Sequence, residues 1–130
     1  MKYVALTSGR NEERFIRQTV EAVLALKPAP EVYVVVDDAS TDHTADILRE
    51  YEGIKLLRLK NPRHETRGVN LAWALNSGVK KVTELVPDWD FLLKIDADSV
   101  LPRDYFKKLI KKFEKNPRLG VSSGTPTDEK

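Results

Sequence analysis

Strand-like and helix-like segments take turns along this chain, and that alternation limits its fold more than any other property of the sequence. Short apolar runs stand at Tyr3 to Thr7, Val32 to Val36, Ile54 to Leu59 and Phe91 to Ile95, and the segments between them carry apolar residues at helical spacing. The pattern predicts an α/β sandwich with a mostly parallel sheet flanked by helices. Right-handed crossovers place strand two beside one, three beside two, and four on the other side of one, for an order 3-2-1-4. Ligands of such sheets bind outside the carboxyl ends of the strands, at the switch point beside strand one.

The helices follow from their capping and breaking residues. Asn11 is expected to cap a first helix, with Glu12 and Glu13 at its positive end, Ile16, Val20, Val23 and Leu24 inward, and Pro28 and Pro30 as its stop. After Ser40-Thr41-Asp42, a second helix places Thr44, Ile47, Leu48 and Tyr51 on one face and closes at Gly53. A polar loop runs from Asn61-Pro62 to Gly68, and the helix after it is expected to bury Leu71, Ala72, Leu75, Val79 and Val82. Pro102 opens a fourth helix with Phe106, Leu109, Ile110 and Phe113 inward and five lysines outward, ending at Asn116-Pro117. Leu119 to Ser122 begins one more strand.

Composition excludes several function classes. The chain has 130 residues, 41% hydrophobic and 32% charged, as expected of one soluble domain with a real core. Twenty-two basic against 20 acidic residues give a net charge of +2, too small to make nucleic acid or an anionic membrane the expected main partner. The absence of cysteine excludes disulfides and thiolate metal sites. Met1 to Val4 enters the first strand without the apolar core of a signal peptide, and no apolar run approaches the ~20 residues needed to cross a bilayer. The expectation is a cytoplasmic domain without a membrane span.

Acidic residues mark two strand tips. Phe91 to Ser99 ends in the pair Asp96 and Asp98, and Val32 to Asp42 carries Asp37 and Asp38 at the end of its apolar run. Two carboxylates at alternating strand positions crowd their charges unless a cation sits between them, which suits Mg2+ or Mn2+. Asp38, with an acceptor-only side chain, suits an imide or a ribose hydroxyl. Arg10 and Arg67 are available to answer negative charge or stack on a base. Together these residues describe a nucleotide-diphosphate site. His43 and His64 have no recognisable triad or metal-ligand partner in the sequence.

At these residues the chain resembles the inverting glycosyltransferases of the GT-A fold, family 2 type, over nearly its whole length. Ser8-Gly9-Arg10-Asn11-Glu12 corresponds to the family's Pro-x-Tyr/Arg-Asn-Glu segment, with Ser8 in place of the proline. Val36-Asp37-Asp38-Ala39-Ser40-Thr41-Asp42-His43-Thr44 matches its Val-Asp-Asp-x-Ser-x-Asp-x-Thr segment, Gly68 to Gly78 resembles its Gly- and Ala-bearing helix, and Asp96-Ala97-Asp98 its Asp-x-Asp. The resemblance implies a Rossmann-like sheet forming the nucleotide-binding half of the GT-A fold. It implies that Arg10, Glu12, Asp38 and Arg67, with Ser8 beside them, contact the uracil and ribose side of a UDP-sugar. Asp96 would sit by the ribose or metal, and Asp98 would ligate a cation bridging the diphosphate. The acceptor would be a hydroxyl compound. Family catalytic domains commonly run to ~200 residues or more, in the usual range of domain sizes. This chain is therefore read as a truncated, nucleotide-binding portion in which no residue can be nominated as the general base.

Two other readings share some of these residues. A haloacid-dehalogenase-like phosphatase would use Asp96 as nucleophile and Asp98 as acid/base, but it needs a later Ser/Thr, a Lys and a further acidic pair, and only a short tail follows. A non-enzymatic phospho-receiver module would use Asp37 and Asp38, but there the acidic pair follows the first strand, whereas here a whole strand and helix precede it.

Overall fold

The computed structural model describes residues 2–60 and 66–116, so the loop around His64 and the expected strand at Leu119 to Ser122 lie outside the described residues. Eight elements follow one another: β1 (Tyr3–Gly9), α1 (Ile16–Leu24), β2 (Tyr33–Asp38), α2 (Thr44–Leu48), β3 (Lys55–Leu59), α3 (Arg67–Leu85), β4 (Phe91–Asp96) and α4 (Tyr105–Lys115). The four strands are parallel and ordered β3-β2-β1-β4, as right-handed crossovers require.

Both faces of the sheet are covered. Tyr3, Ala5, Tyr33, Val35, Leu93 and Ile95 meet Ile16, Val20 and Val23 of α1, Leu48 of α2, and Phe106 and Leu109 of α4. On the opposite face Val4, Leu6, Val34 and Val36 meet Ala74 and Val82 of α3. The central strands β1 and β2 are thus apolar at successive positions, the composition of a parallel strand buried on two sides. A buried polar pair in this core is satisfied internally: Tyr33 Oη and Thr7 Oγ1 are 2.7 Å apart, and burial pushes the Tyr33 phenol up to about 12 despite that hydrogen bond.

Four local expectations are corrected. Asn11 does not cap α1, which starts five residues later at Ile16; Asn11 has φ 55°, a left-handed conformation outside the N-cap range. Leu24 is exposed rather than inward, and α2 ends at Leu48, so Tyr51 lies beyond it and donates to Glu21 Oε1 at 3.1 Å. On α3, Leu71 and Ala72 are exposed; the buried positions are Asn70, Ala74, Gly78 and Val82, a stripe at four-residue spacing.

That stripe is small because α3 lies close to the sheet. A Cβ on Gly78 would stand 2.4 Å from Leu6 Cδ1 and 3.1 Å from Val36 Cγ2, two side chains with no exposed surface. Neither can swing away into solvent, so the contact cannot be relieved cheaply. Gly78→Val should destabilise the fold by roughly 1–3 kcal/mol in chemical denaturation. Gly68→Ala, where nothing lies within 4 Å, should be neutral or stabilise by up to about 1 kcal/mol. Equal stability of the two variants would contradict the close approach.

Candidate functional site

The site is built on the shared register of three strands. Ser8 on β1 stands opposite Val36 on β2 and Asp96 on β4, and Gly9 stands opposite Asp37. Side chains alternate along a strand, so Ser8, Asp38 and Asp96 fall on the sheet face that carries Val4, Leu6, Val34 and Val36. All three lie at the carboxyl edge. The helix connecting two parallel strands runs back from that edge, which places Arg67, the exposed first residue of α3, at the same end, with Asn70 buried one turn on.

Asp37 points to the other face and is fully buried. Its Oδ1 accepts the Ser40 N–H at 3.3 Å, and Arg58 Nε lies 3.3 Å from Oδ2, within ion-pair range but out of hydrogen-bond geometry. Arg58 also donates to the Ser40 carbonyl at 3.2 Å. Asp37 and Arg58 therefore shape the loop that carries half-buried Asp38, followed at once by Ala39 with φ 56°. A non-glycine residue in the left-handed region is held there by its surroundings.

Asn11 supplies much of that holding. Its Oδ1 accepts the backbone N–H groups of Thr41 (2.8 Å) and Asp42 (3.4 Å), and its own N–H donates to Ser40 Oγ at 2.9 Å. The next residue repeats the link, as the Glu12 N–H donates to Thr44 Oγ1 at 2.9 Å. The loop after β1 is thereby fastened to the loop after β2, with Arg10 on one side of the seam and Asp38 on the other. Arg10 is half-buried, and its Nε is shut off from solvent with no hydrogen-bond partner among the described residues.

The Asp-x-Asp segment departs from its expected geometry. β4 ends at Asp96, and Ala97 and Asp98 occupy a turn in which the Ser99 N–H donates to the Asp96 carbonyl at 3.1 Å. Strand alternation therefore does not orient Asp98. What fixes the turn is Thr19 of α1, whose hydroxyl donates to the Ala97 carbonyl at 2.8 Å, and Gly9, where a Cβ would lie 2.8 Å from Ala97 Cβ and 3.1 Å from Glu12 Cγ. Glycine lets the turn and Glu12 close over the end of β1. Burial, then the negative charge of Asp98, then that of Asp42, hold the Glu12 carboxyl above the ordinary glutamate range.

Among the described residues no three His, Cys, Asp or Glu side chains gather as a metal-ligand set. Asp96 and Asp98 are both exposed, Asp96 Oδ1 lies 3.3 Å from Lys94 Nζ, and Glu12 is close enough to feel the charge of Asp98. Mg2+ commonly takes one or two carboxylates and completes its shell with substrate phosphates and water. An exposed acidic pair fits a hard cation shared with a diphosphate.

The model of glycosyl transferase family 2 matches residues 8–129. The chain belongs to this family. A poly-beta-1,6-N-acetyl-D-glucosamine synthase from Staphylococcus epidermidis is 31% identical over 122 residues, covering 89% of this chain and 26% of that protein. The chain thus spans about a quarter of the length of the curated relatives it matches. S. aureus TarS, solved with UDP-GlcNAc, superposes with a TM-score of 0.61 at 22% identity over 98% of this chain and 37% of that one. A mannosyltransferase from Pyrobaculum calidifontis, solved with GDP-Man and Mn2+, gives a TM-score of 0.64 at 21% identity, covering 86% and 32%. The family 2 chain shares its parallel sheet and flanking helices with these GT-A enzymes. Neither the phosphatase nor the phospho-receiver reading finds support in these matches.

Two residues of this site escape sequence reasoning. Arg58 looks like any outward strand residue, and Asn11 carries the signal of a helix cap. Asn11→Ala should lose about 1 kcal/mol of hydrogen bonding, because solvent can replace part of this exposed clamp, and a further ~1–2 kcal/mol from alanine in the left-handed region. Asn11→Gly should avoid the second loss. A denaturation midpoint for Asn11→Ala at or above that of the glycine variant would show that the left-handed strain is absent. Separately, Asp98→Asn should lower the pKa of Glu12 in a carbon-detected NMR titration without returning it fully, since burial remains. An unchanged Glu12 titration would place the two carboxylates too far apart to share a cation.

Proposed function

We propose that this chain is the nucleotide-sugar-binding part of an inverting glycosyltransferase that takes a UDP-sugar together with Mg2+ or Mn2+. The observation that carries the reading is the convergence of Ser8, Asp38 and Asp96 on one face of the carboxyl edge, with Arg10, Glu12, Asp98 and Arg67 brought to the same edge. In this reading Asp38 accepts a hydrogen bond from the base imide or a ribose hydroxyl. Arg10, whose buried Nε has no hydrogen-bond partner among the described residues, and Arg67 meet the base or the phosphates. Ser8 and Glu12 line the floor beside them. Asp96 and Asp98 hold the cation, whose chemistry would be to neutralise the departing diphosphate while an acceptor hydroxyl attacks the anomeric carbon from the opposite face.

Several findings support this reading. The relatives are named for making a poly-N-acetylglucosamine, and structural neighbours hold UDP-GlcNAc, or Mn2+ with a sugar nucleotide. The neighbours differ in base, so uridine recognition rests on Asp38 and the seam beneath it rather than on the fold. A carboxylate base within hydrogen-bond reach of the acceptor is needed for transfer. We assign that group to the acceptor side, for which the longer relatives have room.

Calorimetry tests the proposal directly. UDP should bind with Mn2+ and at least tenfold more weakly without it, a difference of about 1.4 kcal/mol. Asp98→Asn should abolish the metal dependence, and Asp38→Ala should weaken UDP by roughly 1–3 kcal/mol while changing GDP little. Metal-independent binding of UDP by the unaltered chain would refute the cation role. Equal losses for UDP and GDP would refute uridine recognition by Asp38.

A further inference from the structure

We propose that the solvent face of α4 is an electrostatic docking surface for an anionic lipid bilayer. Five lysines against Glu114 give this 11-residue helix a charge of +4, whereas the whole chain carries +2, so everything outside α4 sums to −2. The small net charge conceals a separation of charge. At 3.6 residues per turn, Lys107, Lys108, Lys111, Lys112 and Lys115 fall within an arc of about 140°, opposite Phe106, Leu109, Ile110 and Phe113.

The helix cannot roll. Phe106 stacks on Tyr3 with ring centroids 3.5 Å apart, and Phe113 lies 5.0 Å from Phe91. The lysine row is therefore held outward, and all five lysines are exposed. Only Lys108 is paired, to Asp104 at 3.3 Å; Lys107, Lys111, Lys112 and Lys115 have no ion pair among the described residues. Attraction to the helix's negative end accounts for Lys112 and Lys115 in the last turn, but not for Lys107, Lys108 and Lys111.

The chemistry of the face selects its partner. It contains lysine and no arginine, point charges suited to the smeared potential of anionic headgroups rather than to the two-pronged grip of a nucleic-acid phosphate. No exposed aromatic residue stands among the lysines on which a base could stack. Tyr3 and Phe91, which seat α4, are the first residues of β1 and β4. The cationic face thus lies toward the amino ends of the strands, away from the acids of the carboxyl edge, so a bilayer there leaves the nucleotide site open.

Sedimentation with vesicles tests this independently of nucleotide binding. The nucleotide-free chain should partition onto phosphatidylcholine vesicles containing one-third phosphatidylglycerol, not onto phosphatidylcholine alone, and should be released near 1 M salt, where charges are screened within ~3 Å. Changing Lys107, Lys111, Lys112 and Lys115 to Gln should lower partitioning by more than about tenfold, whereas changing Lys55, Lys60, Lys80 and Lys81 to Gln should not. Lys111→Gln and Lys115→Gln singly, each weakening binding a few-fold, serve the same comparison if the fourfold variant melts early. No partitioning onto the anionic vesicles, equal loss in the two fourfold variants, or tighter lysine-dependent binding to single-stranded RNA than to vesicles would each overturn the proposal.

Discussion

Everything at the carboxyl edge depends on the register of β1 between β2 and β4. Val4, Ala5 and Leu6 have no exposed surface, alternate residues facing α3 on one side and α1 and α4 on the other. A slip of one residue would exchange the two faces and part Ser8 from Asp96. Both faces being covered, each large side chain that a slip forced into a space packed for a smaller one would cost about 1–3 kcal/mol. Repulsion between exposed carboxylates about 4 Å apart is worth only ~1–4 kcal/mol at surface dielectrics. The core therefore wins: it can hold several acids at one edge against their mutual repulsion, which the ion pairs of Lys94 with Asp96 and Arg58 with Asp37 partly relieve.

Two glycines do related work at different depths. At Gly78 the missing side chain lets α3 settle onto Leu6 and Val36, which sets the height at which Asn70 and Arg67 arrive at the edge. At Gly9 it lets Ala97 and Glu12 close over the last residue of β1, and this brings Glu12 under the charge of Asp98. Packing in the core and electrostatics at the site are linked through the same strand.

The strands, their order and the acidic tips were legible because they rest on short-range regularities: runs of β-branched residues, helical spacing, and the handedness of crossovers. Other features depend on contacts between distant residues, which periodicity does not report. Asn11 acts on Thr41 and Asp42, some 30 positions away, so local capping logic misassigned it. The inward face of α3 is made of Asn70, Ala74 and Gly78, and a search for large apolar residues passes over a stripe chosen for its smallness. Asp98 lies past the end of β4, where alternation no longer applies. The lysines of α4 were visible as an outward face, but net charge masked their excess over the rest of the chain.

The central claim is that a divalent ion and a diphosphate meet at the edge formed by the ends of β1, β2 and β4. Paramagnetic broadening of backbone amide signals by Mn2+ in the presence of UDP tests it most directly. Broadening centred on residues 96–99, reaching 10–12 and 38–40, and absent when Asp98 is changed to Asn, is the predicted result. Broadening centred elsewhere on the sheet, or unaltered by that change, would contradict the account.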